Sequence, residues 1–263
     1  MRGRVRVYSR IVVKVGTSTL THENGKLNLQ AIERLVRVLS DLKNAGKEII
    51  LVTSGAIGVG VGKLGLDKKP EDIPSKQAAA AIGQCELMFI YDKFFSEYGH
   101  TIAQVLLNRD ATEDAIRKQN IINTVECLLR MDAVPVVNEN DTVSTEEIEF
   151  GDNDSLSAVV AVLANADLLI MLTDIPGLCD CDPRENPHAK LIERVEHIDD
   201  QIRALAGGRG SSRGTGGMIT KINAAELATA NGIDTVITDG AQPKHLYKVL
   251  EGRPIGTLFV KRS

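Results

Sequence analysis

Two lysines and a set of glycine-led turns are the parts of this chain whose residue types and spacing suit chemistry. Thr215-Gly216-Gly217-Met218-Ile219-Thr220-Lys221 follows a stretch loosened by Gly207, Gly208, Gly210 and Gly214, and runs into Ile222, Ala224, Ala225, Leu227 and Ala228, which read as a helix. A glycine-rich turn feeding a helix N-terminus aims several backbone N–H groups and the positive end of the helix dipole at one spot. A lysine one turn in adds a mobile full charge. The chemistry this suggests is the holding of a phosphate, with a plain surface loop as the alternative. The spacing differs from the nucleotide-binding loop in which Lys directly follows Gly and precedes Ser or Thr, so a different fold is implied.

The same kind of signal recurs upstream. The apolar run ending at Val13 is followed by Lys14 and then Gly16-Thr17-Ser18. The run ending at Val52 is followed by Thr53-Ser54-Gly55-Ala56, with Gly58, Gly60 and Gly62 beyond. Further on come Asn138-Glu139-Asn140-Asp141, then Gly151-Asp152-Asn153-Asp154, then Thr173-Asp174 after the run that starts at Leu168. Each has a plain structural use. Lys14 could guard an edge strand, Ser54-Gly55 could be a cap and a turn, and Asp152 or Asn153 could cap a helix. All of them fall at strand ends or helix starts, however, where ligands bind in open α/β sheets. One shared site accounts for them together. None of the five histidines falls in the set, and no Ser-His-Asp or Cys-His group is evident, which disfavours histidine acid–base and acyl-transfer chemistry. Phosphoryl transfer needs little beyond positioning and charge stabilisation, and two lysines with glycine turns and carboxylates suit it.

The elements that must position these residues alternate between strand and helix patterns. Strands are predicted over 10–15, 48–53, 101–107, 133–138, 168–173, 191–195, 235–238 and 257–260. Helices are predicted over 29–44, with Asn28 as N-cap and Gly46 as stop, and over 75–98, 117–131, 153–165 and 199–206. Residues 142–150 alternate loosely, and Glu146-Glu147 could turn them into a hairpin. Runs such as Ile49-Ile50-Leu51-Val52 are apolar throughout, as strands covered on both faces should be. The fold class expected is α/β: an open, mainly parallel sheet sandwiched between helices.

With 263 residues, 43% of them hydrophobic and 25% charged, the chain has an ordinary globular composition. It has no Trp, and a net charge of −4 argues against nucleic acid as a main partner. No run is long enough to cross a membrane and no secretory signal opens the chain, so a cytoplasmic location is expected. Of four cysteines, Cys85 and Cys127 lie in helical apolar patterns and are expected to be buried thiols. Cys179 and Cys181 flank Asp180 in a loop, where free thiols are expected in preference to a zinc pair with His188 or His197. Met88, Phe89, Phe94 and Phe95 are expected in the core, with a subunit contact as their other use.

Taken together, the motifs resemble the amino acid kinase family, and within it the members that phosphorylate free glutamate. The resemblance runs from Val12-Val13-Lys14-Val15-Gly16-Thr17-Ser18 to Gly256-Thr257-Leu258-Phe259. It includes Ser75-Lys76-Gln77, the Asn138-Glu139-Asn140-Asp141 and Gly151-Asp152-Asn153-Asp154 segments, Asp182-Pro183-Arg184, and Thr215-Gly216-Gly217-Met218. Members acting on acetylglutamate or aspartate carry Gly-Gly where this chain has Gly16-Thr17.

The resemblance implies ATP as co-substrate, Mg2+ carried mainly by its phosphates and water, and no metal held by the protein itself. It implies Lys14 and Lys221 on the transferring phosphoryl group, with Asp154 between them as organiser. Glutamate would be bound by Ser54, Gly55, Ala56, Asp141 and Asn153. ATP would be bound by Lys14, Gly16, Thr17, Thr173, Asp174 and the segment Thr215, Gly216, Gly217, Met218, Ile219, Thr220 and Lys221. The product would be γ-glutamyl phosphate on the way to proline, with proline as feedback inhibitor and a homo-oligomer, dimer or tetramer, as the assembly. Many members carry a C-terminal PUA domain. The sequence ends just after the closing strand, so one amino acid kinase domain over 1–263 is expected, with about 1–165 mainly for glutamate and about 166–263 mainly for ATP. Another carboxylate or phosphate kinase of the family, such as one acting on acetylglutamate, and a catalytically silent binding module of the same fold stand as alternatives.

Overall fold

A computed structural model describes residues 7–22, 24–108, 114–143, 153–206 and 217–262. Among these, eight strands form one sheet: β1 (Arg10–Val15), β2 (Glu48–Val52), β3 (Ile102–Leu107), β4 (Val134–Glu139), β5 (Leu168–Thr173), β6 (Arg194–Val195), β7 (Asp234–Asp239) and β8 (Thr257–Phe259). Their spatial order is β3-β4-β2-β1-β5-β7-β8-β6. All neighbours pair in parallel except β7 and β8. The chain builds outward from β1 on one side and then crosses to β5 on the other. The β1/β5 boundary is therefore a topological switch point, where a crevice opens beyond the strand ends.

The helices are α1 (Thr17–Leu20), α2 (Leu29–Asn44), α3 (Ala56–Leu64), α4 (Ile73–Glu97), α5 (Ala115–Arg130), α6 (Asn153–Leu163), α7 (Asp200–Leu205), α8 (Met218–Ala230) and α9 (His245–Leu250). They cover both faces. Alternation along β1 sends Ile11, Val13 and Val15 to a core shared with α2, α4 and α9, while Val12 faces a second core shared with α5, α6 and α8. Lys14 has the parity of Val12, so it rises from the strand on the side of α6 and α8. Those two helices face each other through Ala158 and Ala161 on one, with Ala164 just past its end, and Ala224, Ala225 and Ala228 on the other, all in one core. Small side chains let the axes approach, which brings their first turns together.

Among the described residues, three helices were missed from sequence: α1, α3 and α9. Helix α3 carries Gly58, Gly60 and Gly62, which weaken helical propensity, and it reads as an extended glycine turn. Packing explains two of these glycines. A Cβ on Gly60 would stand 1.8 Å from the Ala79 carbonyl oxygen, and one on Gly62 2.4 Å from that of Gly25. Across the same α3–α4 contact, a Cβ on Gly83 would stand 1.8 Å from the Ala56 oxygen. Backbone cannot yield as a side-chain tip can. Gly83→Ala is therefore expected to destabilise the fold by about 3 kcal/mol, at the upper end of overpacking costs, read as a lowered denaturant midpoint at unchanged slope.

Other expectations need correction. The strand expected over 191–195 is the two-residue β6, with Leu191 making only a bridge to Cys179. Cys85 is exposed and Cys127 half-buried, because they lie beside the inward faces of α4 and α5 and not on them. Phe95 is in the core and Met88 and Phe94 pack against it, but Phe89 is 63% exposed. The possible hairpin at Glu146-Glu147 lies outside the described residues. Among the described residues, no helix is long and apolar enough to cross a membrane.

Candidate active site

The described helices start in two ways, with and without a side-chain cap. Asn28, Asp72, Asp114 and Asp199 cap α2, α4, α5 and α7, each accepting a hydrogen bond from a first-turn N–H. At the crevice, α1, α3 and α8 begin after Gly16, Gly55 and Gly217, and none has a side chain capping its first turn. Their N–H groups remain available to an anion. Gly55 has φ +93°, a left-handed conformation that favours glycine, and a Cβ there would meet the Thr17 side chain at 3.2 Å. The Gly16 and Gly55 turns therefore lie against each other. A Cβ on Gly16 would come 3.7 Å from Lys14 Nζ, so that turn also borders the first ammonium.

The charged centre is Asp154, in the first turn of α6 and fully buried. Lys14 Nζ lies 2.6 Å from Oδ1, and Lys221 Nζ, from the first turn of α8, donates to Oδ2 at 2.9 Å. Both lysines are themselves more than nine-tenths buried. Burial alone would push the Asp154 carboxyl up, and that is the largest single influence. The charges and hydrogen bonds of the two lysines together overcome it and hold the group well below its ordinary 3.8. Thr220 Oγ1 stands 2.9 Å from Asp154 Oδ2 and 2.8 Å from the Gly217 carbonyl oxygen, and donates to one or the other.

On one side of this centre is a cleft lined by Thr173, Asp174, Gly177, Asp182, Arg184 and Met218, which Lys221 also borders. Thr173 Oγ1 donates to Asp174 Oδ1, and Arg184 makes a forked pair with Asp182. Cys179, buried, and Cys181, half-buried, both line the cleft as free thiols. No group of three or more His, Cys, Asp or Glu placed to hold a metal occurs among the described residues.

On the other side is a closed hydrogen-bonded ring. Asn153, next to Asp154, donates through Nδ2 to the Thr53 carbonyl oxygen and, at 2.8 Å, to Asn138 Oδ1. Asn138 Nδ2 donates to Gln84 Oε1 at 2.8 Å. The Thr53 hydroxyl and Tyr91 hydroxyl share a bond of 2.9 Å. Gln84 and Tyr91 stand two turns apart on α4, which closes the ring. Burial raises the Tyr91 phenol, outweighing its bond to Thr53, so it stays neutral.

The structure thus brings together Lys14, Asp154, Thr220 and Lys221. It places Thr173, Asp174, Gly217 and Met218 on the cleft side, Gly16 beside Lys14 and Thr17 against Gly55, with Ile219 38% exposed in the first turn of α8. Ser54, Gly55, Ala56 and Asn153 lie on the ring side, and Asp141 lies in the turn after β4. Thr215 and Gly216 lie outside the described residues, as do Gly151 and Asp152. Gln84 and Tyr91 were missed from sequence. They sit within a helix of apolar pattern, and only a polar residue on its buried face could have signalled them.

The chain matches the model of the amino acid kinase family over residues 9–239. It is 56% identical to a glutamate 5-kinase of Clostridium perfringens, over all of this chain and 99% of that one. It is 51% identical to a glutamate 5-kinase of Listeria welshimeri, over all of this chain and 97% of that one. Among solved structures, a UMP kinase from Bacillus anthracis superposes with TM-score 0.68 at 13% identity, covering 98% of each chain. A T. acidophilum isopentenyl phosphate kinase superposes with TM-score 0.65 at 18% identity, over 95% of this chain and all of that one. These two likenesses concern the fold.

Proposed function

The chain belongs to the amino acid kinase family, and from that premise we propose that it transfers the γ-phosphoryl group of ATP to the side-chain carboxylate of free L-glutamate. The products are ADP and γ-glutamyl phosphate, and the step leads toward proline. The observation that carries this reading is Asp154, a buried carboxylate with one lysine on each oxygen, standing between a cleft and a polar ring. The glutamate 5-kinases it resembles along its whole length support the choice of acceptor.

The nucleotide takes the cleft beside Thr173 and Asp174, with its phosphates over the glycine-led starts of α1 and α8. Glutamate takes the other side. Asp141 and Asn153 suit its α-ammonium, while Ser54 and the N–H groups opening α3 at Gly55 and Ala56 suit its α-carboxylate. The side-chain carboxylate is already a nucleophile at neutral pH, so no general base is needed. One carboxylate oxygen bonds to the γ-phosphorus as the bond to the β–γ bridging oxygen breaks, and that electron pair leaves on ADP. Charge spreads over the transferring oxygens and the leaving bridge, where the Lys14 and Lys221 ammonium groups interact most strongly. Asp154 holds both in place and offsets their mutual repulsion. The carboxylates of the described cleft are Asp174 and the Arg184-paired Asp182. That set fits Mg2+ as a companion of phosphate oxygens, not as an ion caged by protein. Mg2+ so carried neutralises charge on the β- and γ-phosphates.

Coupled ADP release with a substrate panel tests the reading. Turnover is expected with glutamate. Activity on N-acetylglutamate, aspartate, carbamate or UMP without activity on glutamate would overturn it. Asp141→Ala is expected to raise KM for glutamate by about ten- to a hundredfold, the range for a lost charged hydrogen bond, with kcat and the KM for ATP little changed. A rise confined to the KM for ATP would remove Asp141 from the acceptor side.

A further inference from the structure

Backbone partners set the direction of the hydrogen bonds in the ring beneath the acceptor side. Amide oxygens and nitrogens are assigned from their partners, and here two partners are backbone groups of unambiguous character. The Glu139 N–H donates to Asn138 at 2.9 Å, so the atom it meets is Oδ1. The Thr53 carbonyl accepts from Asn153, so the atom it meets is Nδ2. It follows that Asn138 turns Nδ2 to Gln84, which must answer with Oε1. Both N–H bonds of Asn153 are then spent on protein acceptors. Its Oδ1 is the end left over, and an oxygen acceptor suits the ammonium of an amino acid.

Gln84 is 7% exposed, and its Nε2 has no hydrogen-bond partner among the described residues. A buried donor without a partner opposes folding, so the Oε1 end must justify keeping an amide there. We propose that Gln84 is a positioning residue for the acceptor: through Asn138 it holds Asn153 with Oδ1 presented to the ammonium group of the amino acid. Without Gln84, Asn138 Nδ2 is a buried orphan. The Asn138 amide then turns to satisfy it and withdraws Oδ1 from Asn153. Tyr91 meets the Thr53 hydroxyl, so one face of α4 bonds to both residues whose oxygens orient Asn153. The inference rests on the glutamate reading above.

A double-mutant cycle on the full chain tests it, with KM for glutamate, KM for ATP and kcat measured for each protein. Gln84→Leu is expected to raise KM for glutamate about tenfold, in line with one misplaced hydrogen bond. The KM for ATP should hold within about twofold, the scatter expected for sites without shared partners. In an Asn153→Ala background Gln84→Leu should add nothing further, because its effect runs through Asn153. Tyr91→Phe, which removes one oxygen from a buried ring, should behave in the same way and serves if Gln84→Leu fails to fold. Multiplying effects of Gln84→Leu and Asn153→Ala, or an equal rise in both KM values, would overturn the inference while glutamate turnover stands. No glutamate turnover by the unchanged protein would overturn the glutamate reading, and the inference with it.

Discussion

Lys221→Ala is expected to lower kcat by about a hundredfold to a thousandfold, the range for removing one preorganised donor from a transition state, and to leave KM for ATP comparatively unmoved. The expectation follows from where the lysine sits. It borders the nucleotide cleft, yet its Nζ is committed to Asp154 at 2.9 Å and is buried. An ammonium held there before substrate arrives needs no reorganisation when charge develops on the transferring oxygens. Its interaction with the ground-state nucleotide is weaker than its interaction with the more highly charged bridge of the transition state, so kcat should carry the loss. A large rise in KM for ATP at unchanged kcat would make Lys221 a static phosphate anchor.

Asp154→Asn is expected to have the larger combined effect. The substitution keeps shape and removes the anion between two buried ammonium groups. Breaking a buried ion pair by neutralising one partner costs about 3–5 kcal/mol, and Asp154 has no solvent exposure to soften that. With the lysines no longer held in place against their mutual repulsion, kcat should fall at least as far as in Lys221→Ala. The pH dependence gives a separate readout. Asp154 is depressed below its ordinary 3.8 in the folded protein, so its contribution to stability is fully present above that value. It is lost as pH falls from there through the folded value. Acid titration of stability should be steeper below pH 4 for the unchanged protein than for Asp154→Asn. Parallel acid limbs would mean that the carboxylate is not held ionised by the lysines.

Much of this was legible because it rests on local rules. The β-branched run at Val12-Val13 and the parity of the strand place Lys14 on a definite face, and glycine followed by a helix pattern marks an open helix start. Asn28 reads as a cap and is one. Asp154 could be singled out only through family resemblance, since an aspartate in a first helical turn is otherwise an ordinary dipole partner. What made it a buried organiser is the close α6–α8 contact, which alanine spacing permits but does not announce. Helix α3 was hidden because its glycines serve contacts with α4 and with Gly25, distant in sequence. Gln84 and Tyr91 were hidden for a related reason. Their partners Asn138 and Thr53 lie 54 and 38 residues away, and no periodicity in α4 reports what stands opposite. Cys85 shows the reverse error, where an apolar neighbourhood in sequence suggested burial that the helix face does not give.

The most direct measurement is acyl-phosphate trapping with hydroxylamine, following hydroxamate and ADP together in the presence of protein, ATP, Mg2+ and glutamate. Transfer to the side-chain carboxylate through the two-lysine centre predicts hydroxamate in step with ADP, absent without glutamate, and lowered in the same proportion as ADP by Lys221→Ala. ADP released without hydroxamate, or hydroxamate formed at an undiminished rate by Lys221→Ala, would contradict it.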